Sequence, residues 1–116
     1  MSAKLMEYFN KMPRLGTLST SDKDGKVNVA YFGSPRMVDE KTVFMGLGKN
    51  RTFANLQENA NAVFMIMEPG GSLPEWKGVR VYLKMTECET SGLRRAIRCQ
   101  VSGFRRQETG DRGLRD

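Results

Sequence analysis

Apolar residues recur at every second position along much of this chain, in short stretches divided by turn-forming residues. That alternation admits few folds other than a strand-rich one. Leu15-Gly-Thr-Leu-Ser-Thr20 reads as a strand, and Asp22-Lys-Asp-Gly25 as the turn of a hairpin, because Asp-Gly supplies the positive φ angle a tight turn needs. The return strand, Lys26 to Gly33, carries Val27, Val29 and Tyr31 on one face. Ser34 to Met37 continues it past Pro35, Asp39-Glu-Lys41 turns the chain again, and Thr42 to Leu47 forms a third strand. Ala62 to Glu68 has the continuous hydrophobicity of a strand buried on both faces. Pro69-Gly-Gly-Ser72 interrupts the chain, and Lys77 to Glu89 alternates Val79, Val81, Leu83 and Met85 inward.

Helical spacing is confined to brief segments. Leu5, Phe9 and Met12 share one helical face over Ala3 to Met12, and Pro13 stops that helix. Phe53 to Glu58 makes one or two turns with Phe53 and Leu56 inward. Short antiparallel strands with brief helices inserted predict an α+β fold built on a small β-barrel. Most of the eight methionines fall inside strands, where packing accounts for them.

The chain is 116 residues long, enough for one domain with a real core. Its longest apolar run, Ala62 to Met67, is far short of a membrane span. The N-terminus has charges among its apolar residues and no signal-peptide core. A soluble cytoplasmic protein is therefore expected. There is no histidine, which removes His-dependent triads, most zinc sites and histidine-ligated haem. Cys88 and Cys99 form no CxxC motif and read as inert. The net charge of +6 is uneven: residues 1–91 hold twelve Lys and Arg against ten acids, and residues 92–116 hold seven Arg against three. With the body nearly balanced, nucleic acid is not an expected partner.

The stretch most suggestive of function is Phe44-Met-Gly-Leu-Gly-Lys-Asn-Arg-Thr-Phe-Ala-Asn-Leu56. A strand passes through a glycine-flanked turn that gathers Lys49, Arg51 and Thr52 at the start of a helix. The first N–H groups of a helix, its dipole and the two cations together favour an anion, with a phosphate monoester as the natural guest. The same residues also fit a solvated basic loop, and on their own they do not choose between the two.

Three segments in this order resemble the FMN-binding split-barrel family related to pyridoxamine 5'-phosphate oxidase. They are the Leu-Gly-Thr-Leu-Ser-Thr strand with its Asp-Gly hairpin, the segment from Phe44 through Asn55-Leu56, and Trp76-Lys-Gly-Val-Arg-Val-Tyr82. The resemblance covers residues 3–91 and implies an antiparallel split β-barrel of Greek-key type with short helices. It also implies FMN, with Gly48, Lys49, Arg51 and Thr52 at its phosphate and Asn55 supporting the loop or the ribityl chain. The flavin ring would lie against Val29, Ala30, Tyr31 and Phe32, at the interface of a homodimer. The substrate-phosphate segment of the full oxidase is not found here. The resemblance therefore points to a flavin reductase or electron carrier, working with a small-molecule electron donor or acceptor, since the flavin carries the redox chemistry. The alternative is a cofactor-free binding module or a nucleic-acid binder.

The chain thus reads as a domain over 1–91 followed by a segment over 92–116. Leu93, Ile97, Val101 and Phe104 follow helical spacing, which predicts a helix of about a dozen residues there. Beyond Arg105 nothing apolar recurs. That end reads as an Arg-rich tail or as a truncated or frameshifted terminus, and its lack of Lys favours the second. Trp76 reads as a packing anchor, Tyr31 and Tyr82 as strand packing, and Glu87 and Glu89 as solvated.

Overall fold

The computed structural model describes residues 3–10, 15–32, 35–48, 50–68, 70–72, 77–91 and 94–108. The elements are α1 (Ala3–Asn10), β1 (Leu15–Ser21), β2 (Val27–Tyr31), β3 (Arg36–Asp39), β4 (Thr42–Leu47), α2 (Arg51–Glu58), β5 (Asn61–Glu68), β6 (Lys77–Ser91) and β7 (Arg94–Glu108). All seven strands join one antiparallel sheet in the order β2-β1-β5-β6-β7-β4-β3. The sheet does not close on itself, leaving β2 and β3 as its edges. This is a split-barrel α+β architecture: the strand pattern anticipates the α+β class, and the family resemblance implies the split barrel.

Alternation decides which side chains form the core. Leu18 on β1, Phe64 on β5 and Val81 on β6 lie in one register row and are fully buried. Beside them, Ala62, Leu83 and Val101 make a second row, and Met45 pairs with Ile97 in the other half of the sheet. Phe9 of α1 and Leu56 of α2 enter the same cluster. The Phe9 and Phe64 rings lie 5.3 Å apart, tilted by 41°, an arrangement that suits aromatic quadrupoles.

The hairpin between β1 and β2 is built as its sequence requires. Gly25 takes φ 85°, and the Asp22 carboxylate accepts backbone N–H groups from Asp24 and Lys26, each at 2.9 Å. At the far side of the sheet, Asn10 closes α1 by a two-point bond to the backbone of Met37 on β3, at 2.8 and 2.9 Å.

Several sequence-based expectations change. The segment from residue 94 is a strand, not a helix. Ile97 and Val101 are four residues apart, which satisfies a helix and a strand equally. Cys99 between them is also buried, and it completes a period of two. β7 bonds to β6 on one side and β4 on the other, so residues 94–108 belong to the same sheet as the preceding strands. Phe104, beyond a register shift opposite Tyr82 and Leu83, remains partly exposed.

β5 is not buried on both faces: Ala62, Phe64 and Ile66 are inside, while Val63, Met65 and Met67 are half-buried. Pro35 does not continue β2; the next strand, β3, lies at the opposite edge of the sheet. Val27, Val29 and Tyr31 do share a face, but it points outward. Trp76 and residues 109–116 lie outside the described residues.

Gly16 illustrates how tightly the inner face is filled. A Cβ placed there would come within 2.5 Å of the Phe64 ring. We predict that Gly16→Ala destabilises the fold by about 1–3 kcal/mol through overpacking. In urea denaturation, combining it with Phe64→Leu should cost less than the sum of the two single changes. Additive losses would show that the ring is not what excludes a side chain at position 16.

Candidate functional site

The basic segment between β4 and α2 has a defined local structure. β4 ends at Leu47, Gly48 is exposed, and Asn50 caps α2 by accepting the Phe53 N–H at 2.9 Å. The Ala54 N–H bonds to the Asn50 carbonyl at 3.1 Å, so the helix begins at Arg51, two residues before the sequence-based boundary. Lys49 lies outside the described residues.

Arg51 is exposed and lies beside the β1–β2 hairpin. Between them is a cavity of about 190 Å3 lined by Asp22, Lys26, Val27, Asn28, Arg51 and Asn55. The backbone N–H of Lys26, followed by that of Asp24 and the charges of Lys26 and Arg51, holds the Asp22 carboxyl below its ordinary range. Two cations, two amides and the start of a helix therefore face one small space, with Asp22 as a local counter-charge.

Thr52 and Asn55 take a different place from Arg51. Both are buried: the Thr52 hydroxyl accepts from Asn28 Nδ2 at 3.4 Å, and Asn55 Nδ2 donates to the Thr20 hydroxyl at 3.1 Å. Their polar groups fasten α2 to β1 and β2, and Asn55 also reaches the cavity wall. Lys26 and Asn28 were missed by reading the sequence. The alternation that turns Val27, Val29 and Tyr31 outward is the signal that could have found them, since it turns their even-numbered neighbours toward α2.

The same alternation sorts the main chain of β2. Asp22 N–H bonds to Lys26 O, and Phe32 N–H bonds to Gly16 O at 3.1 Å. With that register, Ala30 and Phe32 direct their main-chain groups into the β1 ladder, and Val29 and Tyr31 direct theirs toward the open edge. The side chains of Val27, Val29 and Tyr31 are 74%, 61% and 65% exposed. Ala30 and Phe32 are half-buried. A second, shallower groove of about 410 Å3 includes Val27, Val63 and Tyr82.

Other chemistry finds little footing. Among the described residues no group of three or more His, Cys, Asp and Glu could hold a metal. None of the described helices is long and apolar enough to cross a membrane. Cys88 is exposed, whereas burial pushes the Cys99 thiol up to about 12.

The pyridoxamine 5'-phosphate oxidase family model matches residues 2–102, and the chain belongs to that family. No curated protein sequence is significantly similar to it. Among solved structures, an FMN-binding protein from Syntrophomonas wolfei subsp. wolfei superposes with a TM-score of 0.80 at 22% identity, covering 90% of this chain and 84% of that one. The styrene monooxygenase flavin reductase of Pseudomonas putida S12 reaches 0.64 at 11% identity, covering 78% of each chain. The haem storage protein HutZ of Vibrio cholerae reaches 0.67 at 18%, covering 87% of this chain and 91% of that one. At these identities the structural likeness establishes the fold.

Two measurements check the site's framework. Asn55→Ala leaves the buried Thr20 hydroxyl without its donor and should cost about 1–3 kcal/mol, whereas removing both partners in Thr20→Val with Asn55→Leu should cost less than the single change. A double variant less stable than Asn55→Ala would contradict that bond's role. In thiol titration at pH 8, Cys88 should react in the native chain and Cys99 only after denaturation; rapid modification of both would show that Cys99 is accessible.

Proposed function

We propose that this chain is an FMN-binding flavoprotein acting in electron transfer, as a flavin reductase or an electron carrier supplied by a small-molecule donor. The observation that carries the reading is the cavity shared by Arg51, Lys26 and the start of α2, next to the edge of β2. A phosphate monoester matches the first of these features. The polar edge of a flavin ring matches the outward main-chain groups of Val29, and the ring's faces match exposed apolar side chains. Flavin supplies the redox chemistry itself, so the chain's task is to bind, orient and shield it. No residue is assigned a catalytic role.

A haem-binding role, suggested by the likeness to HutZ, finds less support. There is no histidine in these 116 residues to ligate the iron. A nucleic-acid role is also less well supported, because residues 1–91, which hold most of the sheet, are nearly balanced in charge.

The exposed row of Val27, Val29 and Tyr31 on an open edge strand favours a homodimer, since one subunit offers only one side of a ring-sized enclosure. In this reading the cofactor sits at the subunit interface of a cytoplasmic protein. Light scattering should then show a dimer at micromolar concentration; a monomer that still retains flavin would contradict it.

FMN should bind much more tightly than riboflavin in a fluorescence titration. One charge-assisted bidentate contact contributes about 1.5–3 kcal/mol, so Arg51→Ala should weaken FMN roughly ten- to a hundred-fold while leaving riboflavin nearly unchanged. Riboflavin binding as tightly as FMN, or an Arg51→Ala variant with full FMN affinity, would overturn the reading.

A further inference from the structure

We infer that Arg95 is a further cation of this anion site, approaching the bound phosphate from the β7 side of α2. The inference deepens the reading above and rests on it for the position of the anion. Arg95 lies opposite Leu47 on β4, the last strand residue before Gly48, and opposite Thr90 on β6. Its guanidinium carbon is 4.9 Å from the centroid of the Phe53 ring. Phe53 is the third residue of α2, and its N–H is the one that Asn50 caps. The guanidinium therefore lies against a side chain carried by the first turn of the helix.

The state of that guanidinium calls for an acceptor. Arg95 Nε is shut off from solvent and has no hydrogen-bond partner. Buried donors of this kind are rare and costly, more so when charged. Its register partners Leu47 and Thr90 are uncharged, and no ion pair of Arg95 with a described carboxylate is present.

Arg98 on the same strand provides the contrast. Its guanidinium lies 5.3 Å from the Phe44 ring, and its Nε is also 3.6 Å from the Glu87 carboxylate. Arg95 has the ring without the acid. A guanidinium stacked on an aromatic face keeps its N–H groups in its own plane, where they can meet an oxygen. A phosphate monoester at the start of α2 would supply the missing negative charge to the guanidinium as a whole. Arg51 is exposed and screened by water, whereas Arg95 is half-buried, so an anion reaching it would be held with less screening.

The test uses the full chain with Arg95→Met, which keeps a long stem against Phe53 and removes the charged donors. FMN and riboflavin dissociation constants are measured by fluorescence, and the thermal midpoint is followed with and without inorganic phosphate. FMN should weaken about ten- to a hundred-fold and riboflavin by less than about two-fold. The ligand-free midpoint should hold or rise, since the buried unpaired donor is gone, and the upward shift caused by phosphate should shrink. Arg95→Lys, with the charge but not the planar fork, should fall between wild type and Arg95→Met.

Unchanged FMN affinity in Arg95→Met, or equal weakening of FMN and riboflavin, would overturn the assignment. If wild type binds no flavin but is stabilised by phosphate, and Arg95→Met is not, the flavin reading fails and the Arg95 assignment stands. A wild type that responds to neither ligand overturns both.

Discussion

The pairing of β6 with β7 is the interaction on which the rest of the molecule depends. These two fifteen-residue strands form the longest ladder in the sheet. β6 carries β5, β1 and β2 on one side, and β7 carries β4 and β3 on the other. In the sheet β4 bonds only to β7 and β3, so without β7 the strand that leads into the basic loop would lose its connection to the half holding the β1–β2 hairpin. The cavity lies between that hairpin and α2, the helix that follows the loop. Its geometry is therefore inherited from a ladder distant in sequence, whose register carries two shifts that let the long strands bend.

Helix α2 divides its residues between two tasks. Thr52 and Asn55 turn polar groups inward, where they bond to Asn28 and Thr20, and Leu56 joins the core. Arg51 stays outside with its charge available. Buried polar side chains are tolerated here because each has a partner, and those bonds orient the helix relative to the hairpin more specifically than apolar contacts would. An amphipathic helix of only eight residues has little stability of its own, so its position comes from these attachments and from the Asn50 cap.

The two sheet edges are treated differently. At β3, Asn10 of α1 bonds both the N–H and the carbonyl of Met37. At β2, the outward face is apolar and exposed, and Val29 directs its main-chain groups into the open. An edge of that kind invites a further surface, whether a flat ligand or another chain. The edge that faces outward is also the one next to the cationic cavity, which gives the proposed binding site an apolar part and a cationic part side by side.

The elements themselves were legible in the sequence wherever local physics sufficed. Asp22 and Gly25 specify a hairpin through turn geometry, Val79 to Leu83 specify a strand through their period, and Gly48 to Arg51 mark the passage into a helix. Residues 93–104 fit a helical period in the sequence because Ile97 and Val101 satisfy both periods, and only the bonds to β4 and β6 select the strand. Which face of β2 points outward, and that Lys26 and Asn28 stand across a cavity from Arg51, came from the assembled sheet. Backbone dihedrals and side-chain periods act over a few residues, so a sequence reports them directly. Burial, a missing counter-ion at Arg95 and the convergence of residues 22–28 with 51–55 depend on contacts between distant segments, and only the tertiary structure brings those segments together.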